Sequence, residues 1–243
     1  MTDVSPAEQR SGPEATKAKL NYSTLKNIHR RNRELVQDRF LNRGRNPVSQ
    51  ENRGLVSDIA KDQTRTELEG DMDGLTGLLN KKGFMKRYEE TINHARRNGE
   101  EVWVAVFDAN GLKQINDDPN GGHEAGNEYL RSIAVALAEN GRNDDFVGRT
   151  GGDEFVVVFK NPGENGVEKW WERKVGDIKQ KSIRISGGAI QVDLGSKNSV
   201  EAIDEADHAM YAAKLLKGDG ESHFMIATKQ DNNLQYKEIK QAA

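Results

Sequence analysis

Residues 150–159 read Thr-Gly-Gly-Asp-Glu-Phe-Val-Val-Val-Phe, and no other stretch constrains the fold as much. Gly151 and Gly152 allow a tight turn and let a large ligand approach the backbone, because neither carries a Cβ. Asp153 and Glu154 follow at once, and the apolar run 155–159 reads as a buried strand behind them. A second apolar run, Val-Trp-Val-Ala-Val-Phe at 102–107, also ends in an acid, Asp108. If the two strands are neighbours, Asp108, Asp153 and Glu154 converge. Hard oxygen ligands grouped in this way suit Mg²⁺, which also takes substrate phosphates as ligands. The plainer alternative for the glycine–acid segment is a β-hairpin with a solvated acidic turn.

The chain has 243 residues, enough for one domain of ordinary size and an extension. It has no cysteine, which excludes disulfides and thiolate metal sites and fits a reducing compartment. It shows neither a long apolar run nor an apolar signal core, so the expectation is a cytoplasmic protein with no membrane span. Net charge is −3, unevenly spread: residues 1–70 hold 13 Lys and Arg against 10 Asp and Glu, the remainder 23 against 29. An acidic domain that binds nucleotides needs local cations to offset repulsion.

Residues 1–15 have the composition of a disordered segment. Residues 16–70 read as a basic helical arm, with a break at Gly44–Pro47. The arm could dimerise as a helical hairpin, touch nucleic acid or another acidic surface, or pack as a solvated helix on its own domain. No aromatic-interleaved basic patch favours nucleic acid. Residues 71–227 form the main domain and 228–243 a polar tail. Within the domain, Phe84, Tyr88, Ile92 and Ala95 mark a helix closed by Gly99, and a strand runs to Asp108. The Gly111–Leu112–Lys113 turn offers amides and a cation to phosphates. Further helices are expected over 124–139 and 167–179, and a strand over 182–192, where Gly187 and Gly188 mark a bulge or a close approach. Ser199 is a candidate cap for a last helix, followed by a last edge strand over 222–227. The alternation predicts an α+β fold with helices on a mainly antiparallel sheet.

From Asp71 to Phe224 the chain resembles the GGDEF family of diguanylate cyclases, with the matching segments in family order. These are Asp73–Asn80, Phe107–Lys113, Ile115–Asp117, Gly122–His123 with Gly126, Arg149 with Gly151–Phe155, Ile185–Gly187, and Ala206–Asp207 with Tyr211–Lys214. The resemblance implies a palm-like sheet of the nucleotidyl cyclase, ferredoxin-like type. It implies a homodimer in which each of two GTP molecules attacks the other, giving cyclic di-GMP and pyrophosphate. Two Mg²⁺ (or Mn²⁺) per site would be held by Asp108, Glu154 and the Ala109 carbonyl. Asp153 would either add a ligand or assist deprotonation. Gly111, Leu112, Lys113, Lys214 and Lys217 would meet the triphosphate, and Asn116 and Asn127 the guanine. Arg142 and Asp145 match the family's product-inhibition pattern, through which cyclic di-GMP would act back on the enzyme.

The chain departs from the family at several places. Asn110 stands where a second acid is expected, Gly111 where an aromatic is, and Asn127 where an acid reads guanine. A carboxylate accepts from both guanine N1–H and its amino group, whereas an amide offers one acceptor oxygen, so relaxed base selectivity is expected. Residues 118–121 lengthen the connection beside the base pocket. Lys217 stands in for a basic residue expected at Gly218, and Lys81 for an arginine. The competing functions are a weak domain that binds GTP or cyclic di-GMP as a receptor, and a scaffold docked through the basic arm.

Overall fold

The computed structural model describes residues 70–139, 141–216, 221–231 and 233–240. The basic arm and the segment that carries Lys217 and Gly218 lie outside the described residues. The elements run β1 (Leu79–Asn80), α1 (Lys81–Asn98), β2 (Val102–Ala109), α2 (Leu112–Asp117), α3 (Gly122–Ala138), β3 (Phe146–Arg149) and β4 (Glu154–Lys160). They continue with α4 (Gly166–Gln180), β5 (Ile185–Gln191), α5 (Glu201–Lys214), β6 (His223–Gln230) and β7 (Asn233–Glu238). One seven-stranded sheet has the order β1-β3-β4-β2-β5-β6-β7. β1–β3 and β5–β6 pair in parallel and the remaining neighbours antiparallel, so the sheet is mixed. The stretch β2–α3–β3–β4–α4–β5, with spatial order β5-β2-β4-β3, is the expected ferredoxin-like palm.

Both faces of the sheet are covered, which is why β2 and β4 read as unbroken apolar runs instead of alternating ones. Ala105, Phe107, Phe155, Val157 and Phe159 pack on one side, under α3 and α4. Val104, Val106, Val156 and Val158 pack on the other, under α1 and α5. The helix α1 is set by its ends. Asn80 Oδ1 accepts from the Gly83 amide at 3.0 Å, and Gly99 closes it at φ 63°. α5 lies very close to β5, as the Gly187–Gly188 pair suggests. A Cβ at Gly188 would fall on the backbone of Ala206 and Met210, and one at Gly187 on the rings of Phe107 and Phe224.

Two local expectations change. Ser199 does not cap α5; Val200 holds the cap position with no side-chain hydrogen bond, and the Ser199 carbonyl instead accepts from Tyr88 Oη at 2.7 Å. The strand over 222–227 is not the last: it extends to Gln230, and Asn233–Glu238 in the polar tail adds β7 beside it. β7 is exposed on most positions, so its sequence lacks an apolar signal. Leu234 and the following Ile239 are its anchors to the two cores. No described helix is long and apolar enough to cross a membrane.

Lys174 is buried in α4, over the Trp170 ring at 5.9 Å, and donates to the Ala136 carbonyl at 2.7 Å and to that of Glu139. It thereby satisfies carbonyls at the C-terminal end of α3, where a cation is also favoured by the helix dipole. Burial pulls its ammonium down to about 8 from 10.5, against the opposing pull of Glu139 and Asp177.

Two outcomes follow from this packing. Gly188→Ala should cost about 1–3 kcal/mol in a denaturant titration, because the new methyl meets backbone that cannot yield cheaply. Between about pH 8 and 10.5 the unfolded chain binds the Lys174 proton more tightly than the folded one, so this group makes stability rise with pH. The difference between wild type and Lys174→Met across that window, read by thermal melts, should show this slope, and a flat difference would refute it.

Candidate active site

The β2–β4 ladder places Asp108 directly opposite Glu154. Residues opposed in this way on antiparallel strands project from the same face with Cβ atoms roughly 4.5–5.5 Å apart. The Ala109 amide donates to the Asp153 carbonyl at 2.9 Å, and the Thr150 amide to the Glu154 carbonyl at 3.1 Å, so the turn is bound to both strands. Asp108 is buried at 9% exposure, whereas Glu154 is exposed. Gly151 is needed for that geometry: a Cβ there would stand 2.6 Å from Glu154 Oε2. The glycine–acid segment is thus a hairpin turn with Glu154 exposed at its end.

Among the described residues no three His, Cys, Asp or Glu side chains are gathered closely enough to hold a metal ion by themselves. Of the three acids expected to converge, Asp108 and Glu154 are opposed in the ladder. Asp153 sits in the turn ahead of the strand, where its carbonyl, not its carboxylate, is tied to β2. The donors present are hard oxygens on one face beside a glycine gap, which fits Mg²⁺ or Mn²⁺ provided that further oxygens complete the shell.

Lys214 closes α5 and reaches over the same face, its Nζ 2.8 Å from Asp108 Oδ1. Asn110 lies between Asp108 and Ser186, which pairs with Asp108 across β5 and is buried. In the amide orientation that satisfies both neighbours, Asn110 donates to Asp108 Oδ1 at 3.2 Å and accepts from the Ser186 amide at 3.2 Å. Tyr129 on α3 donates its hydroxyl to the carbonyls of Arg184 (2.8 Å) and Asn110 (3.0 Å), and accepts from the Arg184 amide at 2.9 Å. It bridges the ends of β2 and β5; burial raises its phenol above the ordinary value. Tyr129 lies in no matching segment and Ser186 in one, Ile185–Gly187, that assigns it no role; the strand register and the helix phase reveal both.

Gly111 stands at φ 76° ahead of α2, and Leu112 and Lys113 begin that helix, with Lys113 exposed. Asn116 lies against Gly126 so closely that a Cβ there would overlap its Oδ1. Asn127 is the next residue of α3 after Gly126. Asn127 is half-buried and hydrogen-bonded to Glu124, whose carboxyl is lowered first by Arg131 and then by Asn127.

Arg149 was not among the expected site residues, although it belongs to the matching segment. Its guanidinium donates to the Gly152 carbonyl at 2.6 and 3.2 Å and to the Asp73 carboxylate at 3.2 and 3.3 Å. It ties the turn to the lead-in segment. Burial alone would raise the Asp73 carboxyl, but bonds from Thr76 and the Arg149 charge outweigh it and hold it below the ordinary value of 3.8. Arg142 and Asp145 lie apart from these acids, on the loop before β3. Asp145 accepts from the Arg142 amide at 3.3 Å and the Lys160 amide at 3.2 Å, while the Arg142 guanidinium donates to the Asn161 carbonyl at 2.7 Å. Burial raises the Asp145 carboxyl despite those bonds.

A ferredoxin-like sheet with paired acids at the mouth of its central hairpin is the palm of the nucleotidyl cyclase class. Within that class the chain belongs to the GGDEF family: the family described as diguanylate cyclase, GGDEF domain, matches residues 70–219. Diguanylate cyclase DosC of Escherichia coli (strain K12) is 32% identical over 200 residues, which are 79% of this chain and 42% of that protein. The chain thus spans less than half of that relative's length. The cyclic di-GMP phosphodiesterase PdeR of the same strain is 29% identical over 186 residues, 73% of this chain and 27% of that one. The coiled coil and GGDEF domain of DgcB from Caulobacter crescentus, solved in complex with c-di-GMP, has the same fold. Its TM-score is 0.64 at 22% identity, covering 72% of this chain and 95% of that one.

Removing the Arg149 clamp should loosen the turn without unfolding the domain. In Arg149→Ala, amides of residues 150–154 should exchange with solvent about ten-fold faster or more, consistent with loss of charge-assisted bonds. Because the Asp73 carboxyl is depressed, its contribution is complete above about pH 3.8 and is lost as pH falls below it. Unchanged exchange at those amides would show that the clamp does not hold the turn.

Proposed function

We propose that the protein is a diguanylate cyclase that condenses two GTP molecules into cyclic di-GMP and two pyrophosphates. The observation that carries this reading is the direct pairing of Asp108 with Glu154 under Lys214, in a chain of the GGDEF family. Two bound Mg²⁺ or Mn²⁺ ions per site would supply charge neutralisation for the phosphates and acidify the attacking hydroxyl. Asp108 and Glu154, with the Ala109 carbonyl, are the residues to hold them, and Asp153 adds a ligand or takes the 3′-hydroxyl proton. The Gly111–Lys113 turn, with Lys113, Lys214 and Lys217, meets the triphosphate as local cations in an acidic domain.

Asn116 and Asn127 form the base pocket. One amide oxygen at Asn127 replaces the two acceptors of a carboxylate, so guanine loses part of its advantage over adenine. Two such sites must face one another for the cross-attack, so the working form is a homodimer. Cyclic di-GMP feeds back at Arg142 and Asp145, where a guanidinium can grip a guanine edge or a phosphate. The reaction is placed in the cytoplasm, where its triphosphate substrate is made.

Incubation with GTP, ATP and Mg²⁺, followed by mass analysis, tests the reading. Cyclic di-GMP should form, accompanied by mixed purine product, and Asn127→Asp should shift the ratio toward cyclic di-GMP several-fold. Absence of any cyclic dinucleotide, with cyclic di-GMP binding that Arg142→Ala abolishes, would replace the enzyme by a receptor.

A further inference from the structure

Lys214 does more than wait for phosphate: it already occupies the buried acid. Its Nζ is 2.8 Å from Asp108 Oδ1, and the same oxygen takes the Asn110 amide in its satisfied orientation. Asp108 has only 12% of its side chain exposed, so its charge needs a partner while nucleotide is absent. Lys214 is 46% exposed and stands on the last turn of α5, so its flexible stem can swing without moving the helix. Among the described residues no other lysine is ion-paired with Asp108. Lys113, in α2, is exposed.

We infer that Lys214 is a resident counter-ion that competes with the divalent metal for Asp108 and transfers to the triphosphate when both bind. This rests on the cyclase reading and adds to it a coupling between metal and nucleotide. A metal ion arriving alone must displace the ammonium, which then has no anion to meet and returns to water. Arriving with a triphosphate, the metal releases an ammonium that has a phosphate within its reach. Metal and nucleotide therefore strengthen one another's binding, and by linkage the factor is the same in both directions. The chain keeps metal affinity low until substrate is present, through one side chain.

The test is binding, not turnover. Mn²⁺ is titrated into the full chain and the bound fraction read by electron paramagnetic resonance, with and without 3′-deoxy-GTP, which cannot cyclise. Wild type should bind Mn²⁺ weakly alone. Lys214→Met should bind Mn²⁺ alone at least about five-fold more tightly, while its affinity for 3′-deoxy-GTP falls and the metal–nucleotide coupling shrinks by the same factor. Lys214→Arg, which keeps the charge, should stay near wild type. Lys113→Met should lose nucleotide affinity without gaining Mn²⁺ affinity. Equal Mn²⁺ binding by wild type and Lys214→Met would overturn the inference while leaving the cyclase reading intact if cyclic dinucleotide is still made. No Mn²⁺ binding by either protein, with or without the nucleotide, would overturn both.

Discussion

The two opposed acids take their places from one piece of backbone pairing, the antiparallel ladder between β2 and β4. Its register opposes Asp108 to Glu154, and a slip of one residue would turn one of the two acids into the α3–α4 core. The register is held by burial on both faces, since Phe107 and Phe155 pack to one side and Val106 and Val156 to the other. The acid pair thus sits at the end of the most tightly specified part of the fold. That location lets a buried carboxylate and an exposed one share a face without the chain rearranging to bring them together.

Around that register, small residues do the close fitting and long ones tie the loops. Gly151 leaves room for the Glu154 carboxyl to fold back, Gly126 for Asn116 to lie on α3, and Gly188 for α5 to press on β5. The last contact aims Lys214 at Asp108. Arg149 and Tyr129 act from outside the acid pair, one joining the turn to Asp73 and the other joining the ends of β2 and β5. The mouth is therefore a preorganised set of oxygen donors and cations, which is what phosphoryl chemistry asks of a protein.

Much of this was legible in the amino-acid order. The acids, Lys113, Asn116 and Lys214 fall in segments that match the family in order, and the apolar runs beside Asp108 and Glu154 announce buried strands. What was not legible depended on tertiary contact. Tyr129 looks like an ordinary helix residue, and Ser186 like one more position in a matching strand segment, until the fold sets them beside Asn110 and Asp108. β7 is mostly polar because an edge strand needs only Leu234 and Ile239 to hold it. Asp153 and Glu154 both read as converging on Asp108; the ladder begins at Glu154, so Glu154 is the one opposed to Asp108.

In the proposed function the opposed Asp108 and Glu154 carboxylates hold divalent metal against a purine triphosphate. Crystals of the protein grown with Mn²⁺ and a non-cyclising GTP analogue, with data collected at the manganese edge, test it most directly. Anomalous peaks should lie between Asp108 and Glu154, in contact with analogue phosphate oxygens. Analogue bound at the Gly111–Lys113 turn with no manganese on either carboxylate, or manganese only elsewhere on the molecule, would contradict it.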